Sequence, residues 1–269
     1  MQGVSAQSLA AVLEAVDDVL DKYGDPEALG RELFEVVDVL DSQPTLRRIF
    51  TDSSIEESGK NGLLRDVLEG KVSDAALDLM TVAVARRWNE MRDLADAVEQ
   101  AGVTAYVVQA QRTKQLDELE DELFRFARIV EAEPRLRDVL GDRTAPLSAK
   151  RKLLDGLIKD KVSEPTRLLL AEAVAGRHRS FLAAVADYQR IAAARRDRLV
   201  ATVHVAAPLS RDQERRLSKA LADEYGHAVH VNVVVDPRLL GGVRATVEDE
   251  VVDSTIATRL EDARRKLAG

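Results

Sequence analysis

The chain contains no cysteine, which excludes disulfides, thiolate metal sites and cysteine nucleophiles together. That absence fits a reducing compartment. Aromatic residues are only 4% of the 269, with Trp88 the single tryptophan, so any core must be aliphatic. A Leu, Val and Ala interior suits helices that pack at close range. No apolar run approaches the roughly eighteen residues needed to span a bilayer. The opening Met1-Gln2-Gly3-Val4-Ser5 carries neither the basic region nor the apolar core of a secretory leader. Excess positive charge is lacking too. A formal net charge of −8 disfavours nucleic acid or an anionic membrane as the main partner, because both reward basic surfaces.

What is present is the composition of a soluble globular protein, with 45% hydrophobic and 32% charged residues. The length allows two or three domains. Upstream of about residue 198 the pattern is helical and contains a duplication. An ungapped shift of ninety residues lays Leu29-x-x-Glu32-Leu33-Phe34 on Leu119-x-x-Glu122-Leu123-Phe124. The same shift carries Pro44-x-Leu46-Arg47 onto Pro134-x-Leu136-Arg137, and Asp52 onto Asp142. It also aligns Lys60-x-x-Leu63-Leu64 with Lys150-x-x-Leu153-Leu154, and Lys71-Val72-Ser73 with Lys161-Val162-Ser163. Ala83-Val84-Ala85-x-Arg87 falls on Ala173-Val174-Ala175-x-Arg177. An ordered series of this kind indicates two copies of one helical domain.

Each copy divides into helices by its apolar spacing. Leu29, Leu33, Val36, Val37 and Leu40 form one stripe, repeated by Leu119, Leu123, Phe126, Ala127 and Val130. Pro44 and Pro134 suit the first turn of a short helix, where a missing N–H costs nothing. Ser73 and Ser163 are expected N-caps. Helices through Leu94 and Val98, and through Ala184 and Tyr188, are expected to end the copies. A stripe from Leu9 to Leu20 leads the first copy, and a separate helix near Val103 to Val108 leads the second.

The last seventy residues change period. Leu199, Ala201, Val203 and Val205 alternate with Val200, Thr202, His204 and Ala206, as in a strand. Ser210 and Gln213 have capping-box spacing, Leu217, Ala220, Leu221 and Tyr225 share a helical face, and Gly226 is placed to end that helix. Val229, Val231, Val233 and Val235 mark a second strand, and Val243, Ala245 and Val247 a third. Gly241-Gly242 provides the tight connection between them. Asp253 is the expected N-cap of a closing helix whose stripe is Val252, Ile256, Leu260, Ala263 and Leu267. The expected fold is mainly α: two tandem helical bundles, residues 1–102 and 103–197, then a small β-α-β-β-α module, 198–269.

That module resembles the C-terminal signature of the delta subunit of F-type ATP synthases, the family of the oligomycin-sensitivity-conferring protein. The residues that carry the resemblance are Asp236, Leu240, Gly241, Gly242, Val247, Asp249, Asp253, Arg259 and Leu260. The pattern departs at Glu248 and Ser254, where family members usually have glycine. A delta subunit extended by a second bundle is similar to the actinobacterial form. The resemblance implies a non-catalytic stator, without cofactor or metal, that joins the catalytic head to the peripheral stalk. By the same resemblance, a bundle takes up the N-terminal helices of the alpha subunits and the module takes up the b subunits. Membrane contact would then be indirect, at the cytoplasmic face of the bacterial membrane. Leu267, near the chain end, is the candidate stalk contact.

Other features read as surface. His178, His204, His227 and His230 show no spacing that demands a metal and are expected to be solvated. Arg190, Arg195, Arg196 and Arg198 read as a charged interdomain helix end, and Asp117, Glu118, Glu120, Asp121 and Glu122 as a solvated acidic face. Gly59-Lys60-Asn61-Gly62 lacks the framework of a phosphate loop. A generic helical-repeat adaptor is the alternative; a hydrolase using the histidines of the last module is a remote third.

Overall fold

A computed structural model describes residues 1–196, 199–226, 229–236, 239, 243–247 and 250–253. The chain divides into two compact units, Met1–Ala193 and Ala194–Gly269.

The first unit is wholly helical among its described residues. Its helices are α1 (Val4–Tyr23), α2 (Pro26–Ser42), α3 (Pro44–Thr51), α4 (Glu57–Leu68), α5 (Asp74–Val84) and α6 (Met91–Arg112). There follow α7 (Leu116–Ala132), α8 (Pro134–Gly141), α9 (Leu147–Ile158), α10 (Glu164–Ala173) and α11 (Phe181–Arg196). The duplication is structural: the ninety-residue shift carries α2, α3 and α4 onto the bounds of α7, α8 and α9. Proline opens α3 and α8 as expected, and the Ser73 hydroxyl caps α5 by accepting from the Ala76 N–H, whereas Ser163 stands at the N-cap position of α10 without a side-chain cap bond.

One expectation is corrected. The last helix of the first copy and the first helix of the second are a single helix, α6, so the boundary expected after residue 102 falls inside it. The sequence offers no reason to stop there: Ala101-Gly102-Val103-Thr104 has neither proline nor a cap signal. Fourteen of the 22 residues of α6 are buried, on every side of the helix, so it serves two cores. Leu94, Ala97, Val98, Ala101 and Ala105 belong to the first core. Val103, Tyr106, Val107 and Ala110 belong to the second, which also takes in Phe34 from α2.

The contact between α2 and α6 depends on two glycines. A Cβ on Gly30 would lie 2.5 Å from the Tyr106 ring, and one on Gly102 would lie 3.1 Å from the Phe34 ring. With no side chain at either position, Phe34 and Tyr106 stack with centroids 5.7 Å apart. The Arg177 guanidinium lies 5.3 Å from the Phe34 centroid and binds Asp38 at 2.6 Å and Glu172 at 3.0 Å. Those ion pairs tie the loop before α11 to α2 and α10.

The second unit contains β1 (Leu199–Val205), α12 (Arg211–Tyr225), β2 (Val229–Val235), β3 (Val243–Val247) and β4 (Glu250–Asp253). Ser210 and Gln213 form the expected capping box, and Gly226 ends α12 at φ 72°. The strand order is β2-β1-β3-β4, with β1 parallel to β2 and antiparallel to β3. Parallel neighbours need a crossover, and α12 supplies it. Strands β2 and β3 therefore flank β1 and do not pair with each other, as a simple turn would have made them. Ala201, Val203, Val205, Val229 and Ala245 are buried with Leu221 of α12. Ala220, expected on that face, is exposed.

The fourth strand is a second correction. Val252 and Asp253 were expected at the start of a helix, yet they pair with Ala245 and Arg244 as part of β4. Only Glu248-Asp249 separates Val247 from Glu250, a separation that favours a hairpin. The closing helix expected after them, with its stripe from Ile256 to Leu267, lies outside the described residues.

Gly30→Ala tests the glycine contact. Overpacking against a buried ring costs about 1–3 kcal/mol, while alanine regains about 0.5–1 kcal/mol in a helix. The net loss should lower the melting temperature by roughly 2–6 °C. Gly62→Ala in α4, where nothing lies within 4 Å of the added Cβ, should leave it unchanged or slightly higher.

Candidate functional site

Polar side chains that read as surface in the sequence are engaged inside the helical unit. Glu122, expected on a solvated acidic face, is 5% exposed and accepts from both the backbone N–H (3.0 Å) and the hydroxyl (2.7 Å) of Ser163. Glu32 does the same for Ser73 in the first copy, at 2.9 and 2.6 Å. The physical cause is local: the first N–H groups of a helix lack intrahelical partners and favour negative charge. In each copy a carboxylate on the second helix satisfies the entry to the fifth.

The Asp52 and Asp142 loops also match. Asp52 accepts from the backbone and hydroxyl of Ser54, and Asp142 from those of Thr144. These bonds hold both carboxyls below the ordinary carboxylate value. Lys60 is 6% exposed and Lys150 5% exposed, so neither is presented to a phosphate. Burial holds the Lys60 ammonium below its ordinary value, against the attraction of Asp52 and Glu57.

His178 overturns the expectation of solvated histidines. Its Nε2 lies 3.0 Å from Glu99 of α6 and its Nδ1 3.1 Å from Asp187 of α11. Glu99 is 4% exposed and also accepts from the Tyr188 hydroxyl at 3.0 Å. A signal was available: Glu99 is the one charged residue between Asp96 and Arg112, on a helix otherwise fit for burial. A carboxylate so placed needs a partner. Nothing local to Glu99 names it, since His178 is 79 positions away.

Arg195 and Arg196 end α11, with Arg195 buried, while Arg190 pairs with Asp187. His204 is half-buried in β1. Arg198 and His227 lie outside the described residues.

Of the signature residues, Asp236 follows β2 and donates its N–H to the Val205 carbonyl at 2.8 Å, extending the β1–β2 ladder. Val247 ends β3, paired with Ala201 and Glu250, and Asp253 ends β4. Leu240, Gly241, Gly242, Asp249, Arg259, Leu260 and Leu267 lie outside the described residues, as do Glu248 and Ser254. The signature residues that are described hold backbone positions in the sheet.

Among the described residues no three His, Asp or Glu side chains are grouped to hold a metal ion. Glu32 and Glu122 serve helix entries, while Glu99 and Arg177 join separate helical segments. A family model described as the ATP synthase delta (OSCP) subunit matches residues 103–267. Similar proteins cover the whole chain. "ATP synthase subunit delta" of a Nocardioides species is 44% identical, over 100% of this chain and 98% of the relative. Its counterpart in Thermobifida fusca is 42% identical over 100% of both. The chain belongs to the ATP synthase delta (OSCP) subunit family. The generic adaptor reading falls away.

The two carboxylate–serine contacts differ in burial, and their loss should differ likewise. Glu122→Ala leaves a buried N–H and hydroxyl without their acceptor and should cost about 2–3 kcal/mol. Glu32→Ala at the half-buried equivalent should cost about 1 kcal/mol. Urea unfolding of the two variants checks the order.

Proposed function

We propose that the chain ties the catalytic head of an ATP synthase to its stalk by holding a different partner with each of its two units. As a member of its family it is a component of the peripheral stalk and not an enzyme. The finer assignments are our reading: the helical unit takes N-terminal helices of the alpha subunits, and the C-terminal module takes the b subunits. The observation that supports it best is the division into two compact units, each with its own core. Units with separate cores let one chain grip two partners without either grip deforming the other.

The mechanism is mechanical. A rotating central shaft puts torque on the head, and the connector must stop the head from following. Several modest contacts acting together dissociate slowly, because each rebinding is intramolecular. Amphipathic partner helices laid into grooves supply such contacts. Large apolar side chains stay exposed on the second bundle, Phe124 at 57% and Ile129 at 52%, and offer surface to such helices.

The chain serves a membrane-associated complex, yet no helix among its described residues is long and apolar enough to cross a membrane. We place it at the cytoplasmic face of the bacterial membrane, held there by its partners, with no role for nucleic acid. Tagged full-length chain should co-purify with both head and b subunits. On the reading that Leu267 faces the stalk and not the core, Leu267→Asp should leave the melting temperature within about 1 °C, since substitutions outside the core change stability little, and should reduce recovery of b but not of alpha. Recovery of b at the wild-type level would remove Leu267 from the stalk interface. Absence of both partners would overturn the connector reading.

A further inference from the structure

The joint between α6 and α11 is built from ionisable groups, and the duplication provides its control. Ninety residues before His178, Asp187, Tyr188 and Glu99 stand Trp88, Ala97, Val98 and Leu9. In the first copy these are apolar: Trp88, Ala97 and Val98 are buried, and Leu9 packs against the same core. The bundle therefore closes at this place without titratable groups. The second copy has replaced all four apolar positions with a histidine, two carboxylates and a phenol.

The geometry of that replacement depends on protonation. Both ring nitrogens of His178 face carboxylate oxygens, Glu99 at 3.0 Å and Asp187 at 3.1 Å. Only the imidazolium has two N–H donors; a neutral ring must turn a lone pair toward one carboxylate. We propose that His178 is a proton-operated clamp, bridging α6 to α11 when protonated and releasing one of its two carboxylates when it loses the proton.

The charged side chains around the ring are paired, and Met1, which bears the α-amino group, lines the same cleft. From α6, Arg92 is committed to Asp41 and Asp96, and Asp96 adds negative charge near the ring. From α11, Arg190 pairs with Asp187 and Tyr188 donates to Glu99. Arg177 is held by Asp38 and Glu172, and Arg143 donates weakly to the His178 carbonyl at 3.5 Å. The ring opens on a cleft of about 360 Å³ also lined by Met1, so water can carry the proton in and out.

The hydrogen bond to Glu99 raises the His178 pKa above its ordinary value, against burial, with the charges of Glu99, Asp187 and Asp96 adding to it. For Glu99, burial pushes the carboxyl up, but the bond and charge of His178, the charge of Arg177 and the Tyr188 hydroxyl outweigh it and leave the pKa lowered. The signs then follow. The raised His178 contributes stability that is complete below its unfolded value and is lost as pH rises through the folded one. The lowered Glu99 contributes stability that is complete above its unfolded value and is lost as pH falls through the folded one. The clamp is thus firm between the unfolded values of the carboxyl and the imidazole, and it loosens as pH climbs through the raised His178 value. Because the clamp joins α6 to α11, pH would set how firmly α11 is held.

The test is a titration of the full chain. In carbon-edited NMR the His178 ring, assigned by its contact with the Tyr188 ring, should titrate above about 6.5, the unperturbed value. Through that titration the unfolding equilibrium constant should rise by up to about tenfold per pH unit, the limit for one linked proton. His178→Gln, which cannot donate to both carboxylates, should lack that component. Amide exchange along α11, corrected for intrinsic base catalysis, should show the same difference between the two proteins. A ring that titrates at or below the unperturbed value overturns the proposal, whether or not the variant folds. So does a His178→Gln protein with the wild-type pH dependence.

Discussion

Helix α6 has to close two hydrophobic cores at once, and the rest of the helical unit is arranged around that demand. A helix with apolar neighbours on all sides cannot carry a polar face, so its middle is nearly free of charge, and small residues let neighbouring helices approach closely. Ala97, Ala101, Gly102 and Ala105 do this on one side, while Val103, Tyr106 and Val107 fill the other. The cost falls on Glu99, which is buried with the helix and must be neutralised there. Tyr188 of α11 and His178 just before that helix meet the need. Sharing one helix makes the two copies a single compact unit instead of two beads on a linker.

The duplication shows which contacts the bundle needs and which it has altered. The carboxylate that caps the fifth helix recurs in both copies, because every helix start leaves N–H groups to be satisfied. Aspartate loops after the third helix and buried lysines in the fourth recur as well. Phe34 and Phe124, by contrast, occupy equivalent places with opposite fates. The first is buried against Tyr106, while the second is 57% exposed. The shift carries Tyr106 onto Arg196, so the second bundle has no ring to stack there.

The C-terminal module is governed by a different constraint. Strands β1 and β2 run parallel, so a helix must carry the chain between them, and α12 then covers one face of the sheet. Strand β3 joins on the other side of β1, which accounts for a signature that combines a connection with a strand. Asp236 and Val247 take part in the backbone ladder, and no described member of the signature gathers into a reactive cluster.

Local pattern determined a great deal. The ninety-residue repeat, the proline starts of α3 and α8, the Ser73 cap, the capping box at Ser210 and three of the four strands were legible in the sequence, as was the family. Each of these is written in neighbouring residues, through side-chain periodicity or a capping side chain within a turn. Tertiary structure alone decided that one helix serves both copies, that β1 lies between β2 and β3, and that Val252 is a strand residue. It also decided that Glu122 and His178, which look like surface groups, are engaged inside. Their partners are 41 and 79 positions away, and burial is a property of what the fold brings alongside a residue rather than of the residue's own stretch of chain.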